Sequence, residues 1–416
     1  KRQVNYEPEY AAGGGLPIIG LRADRMHRIT LTAGSLDPVE LNYRTPPLPA
    51  DDAEMPNFNT LISRPNYMAD GFTILSIRRS APTRAIWMSP GQFAFMRDWS
   101  LLVALDDEGE VVWYYKAGSR IAGVHRLANG NLFYHHVDFR SVEMDMCRNI
   151  IHTYFADKRP FGPVEEPAAI GIDAQSLHHQ PHEIPNGNYL ALTANAREIE
   201  NYYTSESDPD APRATQKVVG DKIIEFTPEG EIVWDWNTFD HLDIWRFGYL
   251  LTEVYWHTRG FPGHYDWTHG NGVSYDPHDD GILVSLRHQD AVIKIDKRTK
   301  EIKWILGDHK GWEGEFKKKL LTPTHDFRWH YHGHNPRVTG KSRFVMYDNG
   351  VIRAMPPDPI APPHECFARA VEYEVNPDTM EVTELWTSSD DEDKYRVISF
   401  AMGDAHRLSN GNILVI

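Results

Sequence analysis

Short runs of alternating apolar and polar residues, separated by turn residues, extend along most of the chain and predict β-strands. From about residue 70 these runs form a repeating unit: an apolar strand, a polar turn and a second strand that ends in Trp. The unit recurs at Leu101–Tyr115, Ile223–Trp236, Val292–Leu306 and Val371–Trp386. Such repetition predicts a fold assembled from copies of one β-hairpin.

A second hairpin signal is a histidine followed, four residues later, by Asn-Gly-Asn, as after His125, His182 and His406. Because Asn-Gly accepts positive φ at both central positions, we expect a type I′ turn in each. Two hairpins make a four-stranded meander, and meanders stack around an axis as propeller blades because one alone leaves apolar faces uncovered. Counting the histidine-bearing hairpins and an opening unit near 70–116 predicts an all-β, six-bladed β-propeller.

The beginning of the chain differs from the repeat. Residues 1–65 have no helical period, alternate over Met26–Thr32 and end in a proline-rich segment. We expect a small N-terminal β-sandwich-like module there, complete or incomplete, and a propeller over 66–416 with the active site in its central channel. Two stretches are longer than the repeat requires, Arg197–Gln216 and Asn237–His264, and we expect both to line a site. In Asn237–His264 we also expect a short helix over one mouth of the channel.

The composition and net charge of the chain limit the classes of partner that it can bind. The chain has 416 residues, of which 41% are hydrophobic, and a net charge of −16. This acidity argues against a nucleic-acid partner, and any anion site must be built locally. No run of about 18 apolar residues is present, so we expect no membrane span. No signal peptide is visible at Lys1, which fits a cytosolic protein or a mature processed one, and Cys147 and Cys366 fit one disulfide or two free thiols.

Histidines are the candidate chemical groups. The innermost strand of each propeller blade faces the channel, so histidines that open these strands meet near the axis although they are distant in sequence. The alternative for each is a structural histidine that caps a turn or stacks between blades. One of them belongs to a four-histidine stretch, Thr324–Arg337. The candidates are His125, His179 or His182, His269, His334 and His406.

Two other polar residues share the strands of these histidines. His269 and Asn271 have the same strand parity, so both can face the channel. Arg287 lies near the end of the paired strand. A buried arginine between apolar strands is costly unless it meets an anion or an internal carboxylate, such as Asp266 or Asp290.

Zinc ligation is a rival explanation for the clusters HHQPH and HYHGH. No cysteine joins them, and alternate strand residues face opposite sides, so we expect no metal site. The sequence also lacks a serine nucleophile elbow and a glycine-rich phosphate loop, and we expect no cofactor.

At these residues the chain resembles the aryl-sulfate sulfotransferases that work without a nucleotide sulfate donor. ITLTAG and TPPLP resemble the small β-sandwich that precedes this family's six-bladed propeller. The stretch WHYHGHNP departs from the family through its extra histidines and Pro336. The segments that match in order and approximate spacing are LHHQPHEIPNGNYLAL, DWTHGNGV, SLRHQDAVIKID, and HN followed by FVMYDNG.

The resemblance implies a histidine that accepts a sulfuryl group. The spacing to the Asp348-Asn349-Gly350 turn assigns that role to His334. The residues that would bind and polarise the sulfuryl oxygens are His269, Asn271, Arg287 and His179. The alternates are His332 as nucleophile, His182 in place of His179, and His125 and His406.

The resemblance also implies a reaction. An aryl sulfate would donate to a phenol by a ping-pong mechanism through a sulfohistidine, and a histidine would serve as acid for the leaving phenolate and base for the incoming phenol. We expect Tyr202, Tyr203, Trp245 and Trp256 to hold aryl rings by stacking. A homodimer and a periplasmic or secreted location are further implications. Two other hypotheses remain open: a propeller polysaccharide lyase that uses His, Tyr and Arg, and a non-catalytic ligand-binding propeller.

Overall fold

The computed structural model describes residues 5, 15–79, 88–166, 168–252, 255–388 and 397–416. Within these residues the chain forms 26 strands and a few short helices, and no helix there has both the length and the apolar character that crossing a bilayer requires. The two α-helices are α1 (Pro90–Arg97) and α2 (Thr238–His241). The 3₁₀ helices are Pro65–Tyr67, His257–Arg259, Arg287–Gln289, Gly314–Lys319 and Pro363–Glu365.

The N-terminal region contains one antiparallel hairpin, β1 (Met26–Leu31) with β2 (Val39–Arg44). Arg22 anchors the chain ahead of this hairpin, because its Nε lies 2.7 Å from Asp106 Oδ2. We expected a sandwich-like module in this region. Its described residues up to 65 form one two-stranded hairpin and no second sheet.

Five sheets of three to five strands follow, each a meander of antiparallel strands in chain order. Sheet 1 has α1 between its first two strands, and sheets 2, 3 and 5 each gain one parallel strand. Sheet 1 is β3 (Thr73–Arg78), β4 (Ser100–Leu105) and β5 (Val111–Ala117). Sheet 2 is β6 (Ile121–Arg126), β7 (Leu132–His136), β8 (Arg140–Met144), β9 (Ile150–Ala156) and β10 (Ala169–Ile172). Sheet 3 is β11 (His178–Glu183), β12 (Tyr189–Tyr202), β13 (Ala214–Phe226), β14 (Ile232–Asn237) and β15 (His264–Asp266).

The chain continues in the same manner to its last hairpin. The innermost strands β3, β6, β11, β16, β21 and β25 lie next to one another in chain order, which is the arrangement of a β-propeller. Sheet 4 is β16 (Gly270–Asp276), β17 (Gly281–Leu286), β18 (Ala291–Asp296) and β19 (Ile302–Gly307). Sheet 5 is β20 (Thr322–Pro323), β21 (His334–Gly340), β22 (Arg343–Asp348), β23 (Arg369–Asn376) and β24 (Glu381–Thr387), and the last hairpin is β25 (Ala405–Arg407) with β26 (Ile413–Val415).

Apolar clusters between successive sheets hold the propeller together. Burying one such side chain contributes roughly 1.5–3 kcal/mol. The repeated Trp adds a polar anchor, because Trp113 Nε1 donates to the Met146 carbonyl and Trp236 Nε1 to the Lys300 carbonyl, each in the next sheet's hairpin turn. Four of these clusters lie between consecutive sheets, from sheets 1 and 2 to sheets 4 and 5. In that order they include Leu102 and Leu132, Phe133 and Ile224, Trp236 and Val284, and Leu283 and Phe344.

The Asn-Gly-Asn turns differ from the predicted type I′ geometry. In the Ile184–Asn188 turn the Gly187 N–H donates to the Ile184 carbonyl, and φ is positive at Gly187 (+84°) but not at Asn186. This is a type I turn followed by a left-handed glycine. The asparagines have another use, since the side-chain amides of Asn186 and Asn188 both donate to Glu225 on the third strand.

The two long stretches have different structures. Arg197–Gln216 consists of the ends of β12 and β13, which lengthen this hairpin, and of the loop 203–213 between them. Asn237–His264 contains α2 and a 3₁₀ helix, as expected. Cys147 is exposed and Cys366 is buried, and the two do not form a disulfide with each other.

Candidate functional site

The innermost strands enclose a cavity of about 1320 Å³. His179, His269, Asn271, Arg287 and His334 all line it, although they come from three different sheets and the segments beside them. These are the five residues that the sequence analysis expected to meet near the axis. Arg287 and Asn271 are 1% exposed and His334 is 4% exposed, so the convergence occurs away from bulk water.

Backbone irregularity aims these histidines at the channel. His179 and His269 have left-handed φ angles of +57° and +45°. The innermost strands of sheets 3, 4 and 5, which are β11, β16 and β21, also contain register shifts, at His178/His182, Gly270/Gly272 and His334/Arg337. Such bulges redirect side chains, and a non-glycine residue in this region costs on the order of 1 kcal/mol. Strain repeated at equivalent places indicates a functional constraint.

His334 is held in one tautomer. Its Nδ1 lies 2.6 Å from Asn349 Oδ1, while the Asn349 amide nitrogen donates to the carbonyls of Met402 (2.7 Å) and Ser399 (3.0 Å). Because these bonds fix the Asn349 oxygen toward the ring, Nδ1 carries the proton and Nε2 is the acceptor, which the Met402 N–H reaches at 3.3 Å. Burial, and then the charge of Arg287, lower the pKa of His334 to about 3, so the imidazole is neutral at pH 7.

His269 is backed by a buried carboxylate. Its Nδ1 donates to Asp266 Oδ2 (2.5 Å), and Trp256 Nε1 donates to the other oxygen of the same carboxylate (3.0 Å). Burial, and then the charges of His288 and Arg287, lower the pKa of His269 well below its usual range. The Nε2 atom of a neutral ring oriented in this way is a proton acceptor.

His179 is connected to a second buried carboxylate through its neighbour. The Nδ1 atoms of His178 and His179 lie 2.9 Å apart, so one donates to the other. His178 Nε2 lies 3.1 Å from Asp221 Oδ1. Burial and the nearby histidines lower the pKa of His179. Its ring stacks on Tyr255 at 5.7 Å and lies 5.4 Å from the His269 ring, which places both histidines against one aromatic side chain.

Arg287 and Asn271 complete the polar lining. The Arg287 guanidinium donates to His288 Nε2 (2.7 Å) and to the Phe400 carbonyl (3.0 Å). Asn271 donates to the Gly333 carbonyl (2.8 Å), which ties β16 to the residue before His334. A fixed guanidinium close to neutral imidazoles provides a local positive field inside an acidic protein.

The other channel histidines form a separate group. The ring of His125 stacks on that of His182 at 5.2 Å, and His406 Nε2 lies 2.9 Å from Asp404 Oδ2. Asp404 also accepts two bonds from Arg337, at 2.6 and 2.8 Å. All three line the same cavity, but His406 bonds to this Arg337–Asp404 pair, and the charges of the same pair act on His125 and His182. The structure thereby favours His179 over His182.

The predictions for His332 and for the aromatic residues were wrong. His332 is fully buried, lies 3.1 Å from Asp290 Oδ1 and is not part of the cavity lining, so it is not an alternative nucleophile. Each of the four predicted aromatic residues packs in the protein or away from the cavity. Tyr202 and Trp256 are buried in the core, and Tyr203 packs with Trp245 and Phe247 outside the lining.

Asp266, His269 and His288 are the group whose geometry comes nearest to a metal site in the described part of the chain, with donor atoms within 4.8 Å of one another. Their donor atoms already have partners. His269 Nδ1 donates to Asp266, His288 Nδ1 lies 2.7 Å from the Asp266 carbonyl, and His288 Nε2 accepts from Arg287. A guanidinium in this position opposes a metal cation, so the residues do not fit a metal ion.

Sequence reasoning missed several residues of the site. Asn349 was noticed only as part of a turn, yet it sets the tautomer of His334. Tyr255 directly precedes the tryptophan that was chosen, and its ring lies 4.4 Å from that of His269. Three arginines that line the cavity carried no signal in their local sequence: Arg78, Arg120 and Arg259.

Comparison with known proteins agrees with this site. The model of the Arylsulfotransferase (ASST) family matches residues 60–416, which include all of the channel histidines. The chain belongs to the arylsulfotransferase family. Two relatives of this family are each named Arylsulfate sulfotransferase AssT. The protein from Escherichia coli O6:H1 (strain CFT073) is 34% identical over 138 residues, and that from Lelliottia amnigena is 33% identical over the same length.

The matched segment is 29% of this chain and 22% of the length of each AssT relative. A solved β-propeller domain, that of Cps50 (Swd1) from Myceliophteria thermophila, overlaps 70% of this chain and 68% of its own with 11% identity and a TM-score of 0.31. The assignment of this arylsulfotransferase-family chain to the propeller fold rests on its own strand pairing.

Proposed function

We propose that the protein transfers a sulfuryl group from an aryl sulfate to a phenol through a covalent sulfohistidine at His334. The observation that carries this proposal is the bond from His334 Nδ1 to Asn349 Oδ1, which leaves Nε2 unprotonated in a buried channel, where its contact from the Met402 N–H is long at 3.3 Å. The family match over residues 60–416 supports the substrate class.

In the first half-reaction, Nε2 of His334 attacks the sulfur of the donor. The S–N bond forms as the bond from sulfur to the aryl oxygen breaks, and the aryl oxygen keeps the electron pair. Arg287 and Asn271 lie where they can stabilise the sulfuryl oxygens. Because a bound anion favours the protonated form of nearby imidazoles, donor binding raises the pKa of His269 and His179 and lets one of them protonate the leaving phenolate.

The second half-reaction reverses these steps with a new phenol. The histidine that gave up its proton, His269 or His179, accepts the proton of the phenol, the phenol oxygen attacks sulfur, and the S–N electron pair returns to His334. The Asp266 carboxylate behind His269 stabilises the imidazolium that forms.

Rapid mixing with p-nitrophenyl sulfate tests this mechanism. We expect a burst of p-nitrophenol equivalent to the enzyme, and sustained turnover only when phenol is added. Arg287→Gln should lower kcat/KM on the order of a hundredfold, because one preorganised charge at the reacting group is lost. The matched control is Arg197→Gln, which breaks an exposed surface pair with Asp240 and should not change kcat/KM. A phenol-independent rate without a burst would contradict the proposal.

We also propose a sixth blade. The amides of Asn410 and Asn412 both donate to the Tyr67 carbonyl, as those of Asn186 and Asn188 both donate to Glu225. This equivalence supports a blade that contains the last hairpin next to the segment ahead of β3. The N-terminal module over 1–65, the homodimer and the periplasmic or secreted location stay predictions.

A further inference from the structure

Three arginines line the channel in addition to Arg287. Arg78 ends β3, Arg120 directly precedes β6, and Arg259 ends the 3₁₀ helix His257–Arg259. They are distant in sequence, so the tertiary structure alone brings them to the wall of the cavity that contains His179, His269 and His334. The sulfuryl transfer proposed above gives none of them a role.

Few contacts satisfy these guanidinium groups. Arg259 Nη1 donates to the Tyr255 carbonyl (3.0 Å) and to Thr258 Oγ1 (3.3 Å), and the guanidinium carbon lies 3.6 Å from the centre of the Tyr255 ring. Arg120 Nη1 lies 3.7 Å from Met96 Sδ, and its buried Nε has no hydrogen-bond partner among the described residues. Within the described ranges, no carboxylate lies within ion-pair distance of Arg78, Arg120 or Arg259.

The arginines act on one another as like charges. Burial, and then repulsion from Arg120 and Arg259, lower the pKa of Arg78 to about 9. Burial and the charge of Arg259 lower the pKa of Arg120 to about 10. Half-buried cations that repel one another are costly, and an oxyanion placed among them removes that cost.

One aromatic ring connects the arginines to the reacting residues. The Tyr255 ring lies 4.4 Å from that of His269 and 5.7 Å from that of His179, and Arg259 packs over the same ring. About one phenyl ring therefore separates these two histidines from Arg259. A substrate whose ring lies beside Tyr255 would direct one end toward His334 and the other toward the arginines.

We propose that Arg78, Arg120 and Arg259 form a second anion-binding site, which holds an oxyanionic substituent on the aryl ring of the substrate. The proposal rests on the function proposed above and narrows its substrate class to aryl sulfates and phenols with a second negative group, such as a carboxylate or a phosphate. The transfer itself is unchanged: the phenol oxygen bonds to sulfur, the S–N bond of His334 breaks, and the second anion takes no part in bond changes.

The test uses p-nitrophenyl sulfate as the common donor and matched acceptors. 4-Hydroxyphenylacetate is compared with its neutral methyl ester, because a methylene group keeps the acidity of the two phenols similar. 4-Hydroxybenzylphosphonate represents the phosphate-like anion. We expect the anionic acceptors to exceed the ester in kcat/KM on the order of tenfold, the effect of one charge-assisted contact.

Variants of the arginines test whether these residues cause the preference for anionic acceptors. Arg78→Gln and Arg120→Gln should each lower the ratio of anionic to ester acceptor toward one. Arg126→Gln is the matched control, since Arg126 also lines the channel but bonds to the Gly130 carbonyl, on the side of His125, and this variant should keep the wild-type ratio.

The outcomes separate this inference from the proposed function. Equal or slower sulfation of both anionic acceptors by the wild-type protein would overturn the second site while leaving the transferase intact, and this comparison needs no variant to fold. Failure to sulfate any acceptor, the ester included, would overturn the transferase itself. A gain for the phosphonate alone would support the site and identify its anion as tetrahedral.

Discussion

The reactivity of single residues in this channel depends on keeping imidazoles neutral. His334, His269 and His179 would be weaker nucleophiles or bases as cations, and burial lowers the pKa of each. His334 also needs the correct tautomer, which Asn349 supplies through one hydrogen bond. The sequence places the histidine and the asparagine near each other but contains no information about which ring nitrogen is protonated.

Buried neutral histidines make stability depend on pH. The pKa is lowered from 6.5 to about 3 for His125 and His334 and to about 4 for His136. The unfolded chain therefore binds more protons than the folded one below about pH 6.5, so their contribution is complete above that pH and is lost as the pH falls. We expect the denaturation midpoint in urea to decrease steadily from about pH 7 to about pH 4.5.

A pair of histidine variants provides the control for this dependence. His136→Gln removes one buried titrating group and should flatten the pH profile, whereas His364→Gln alters a side chain that is 75% exposed and should not. A midpoint that stays constant between about pH 7 and about pH 4.5 would contradict the buried neutral histidines.

The Asn-Gly-Asn turn has two structural roles in the hairpins of the propeller. The left-handed glycine of each Asn-Gly-Asn turn closes the hairpin, and the flanking asparagines fasten it to a neighbouring segment. The hairpins were predicted from the sequence, but their turn type was not. Asn-Gly alone suits both a type I′ turn and a type I turn with a glycine bulge, and the strand register that separates them is a tertiary property.

Gly187→Ala tests the turn without altering packing. No atom lies within 4 Å of the position that a Cβ would occupy, but φ is +84°. The variant should therefore lose roughly 1 kcal/mol of unfolding free energy from backbone strain alone. Gly91→Ala in α1 is the control, because its Cβ would also be unhindered and its φ is not left-handed. Equal stability of the two variants in chemical denaturation would contradict the turn assignment.

At the scale of the whole molecule, the propeller creates a site that no local segment contains. The repeat was enough to predict the all-β propeller fold and an axial channel, and that channel is lined by His179, His269, Asn271, Arg287 and His334. It was not enough to divide the channel histidines into two groups, because that division depends on how far along each inner strand a residue lies.

The errors have a common physical cause. Tyr202 and Trp256 were chosen for their aromatic character, but their side chains fill the core. His332 is a histidine like the channel residues, but its side chain faces Asp290. Arginines such as Arg78 were overlooked because their neighbours in space are remote in sequence. In each case the deciding fact is the direction of a side chain at a bulge or loop, which periodicity does not encode.

Intact-mass measurement after incubation with p-nitrophenyl sulfate, without a phenol, tests the central claim most directly. The wild-type protein should gain about 80 Da, one sulfuryl group, and lose it when phenol is added. His334→Asn should show no gain while its folded state, followed by circular dichroism, is retained. An adduct of the same mass on that variant, or no adduct on a wild-type protein that turns over, would contradict the assignment of His334 as the nucleophile.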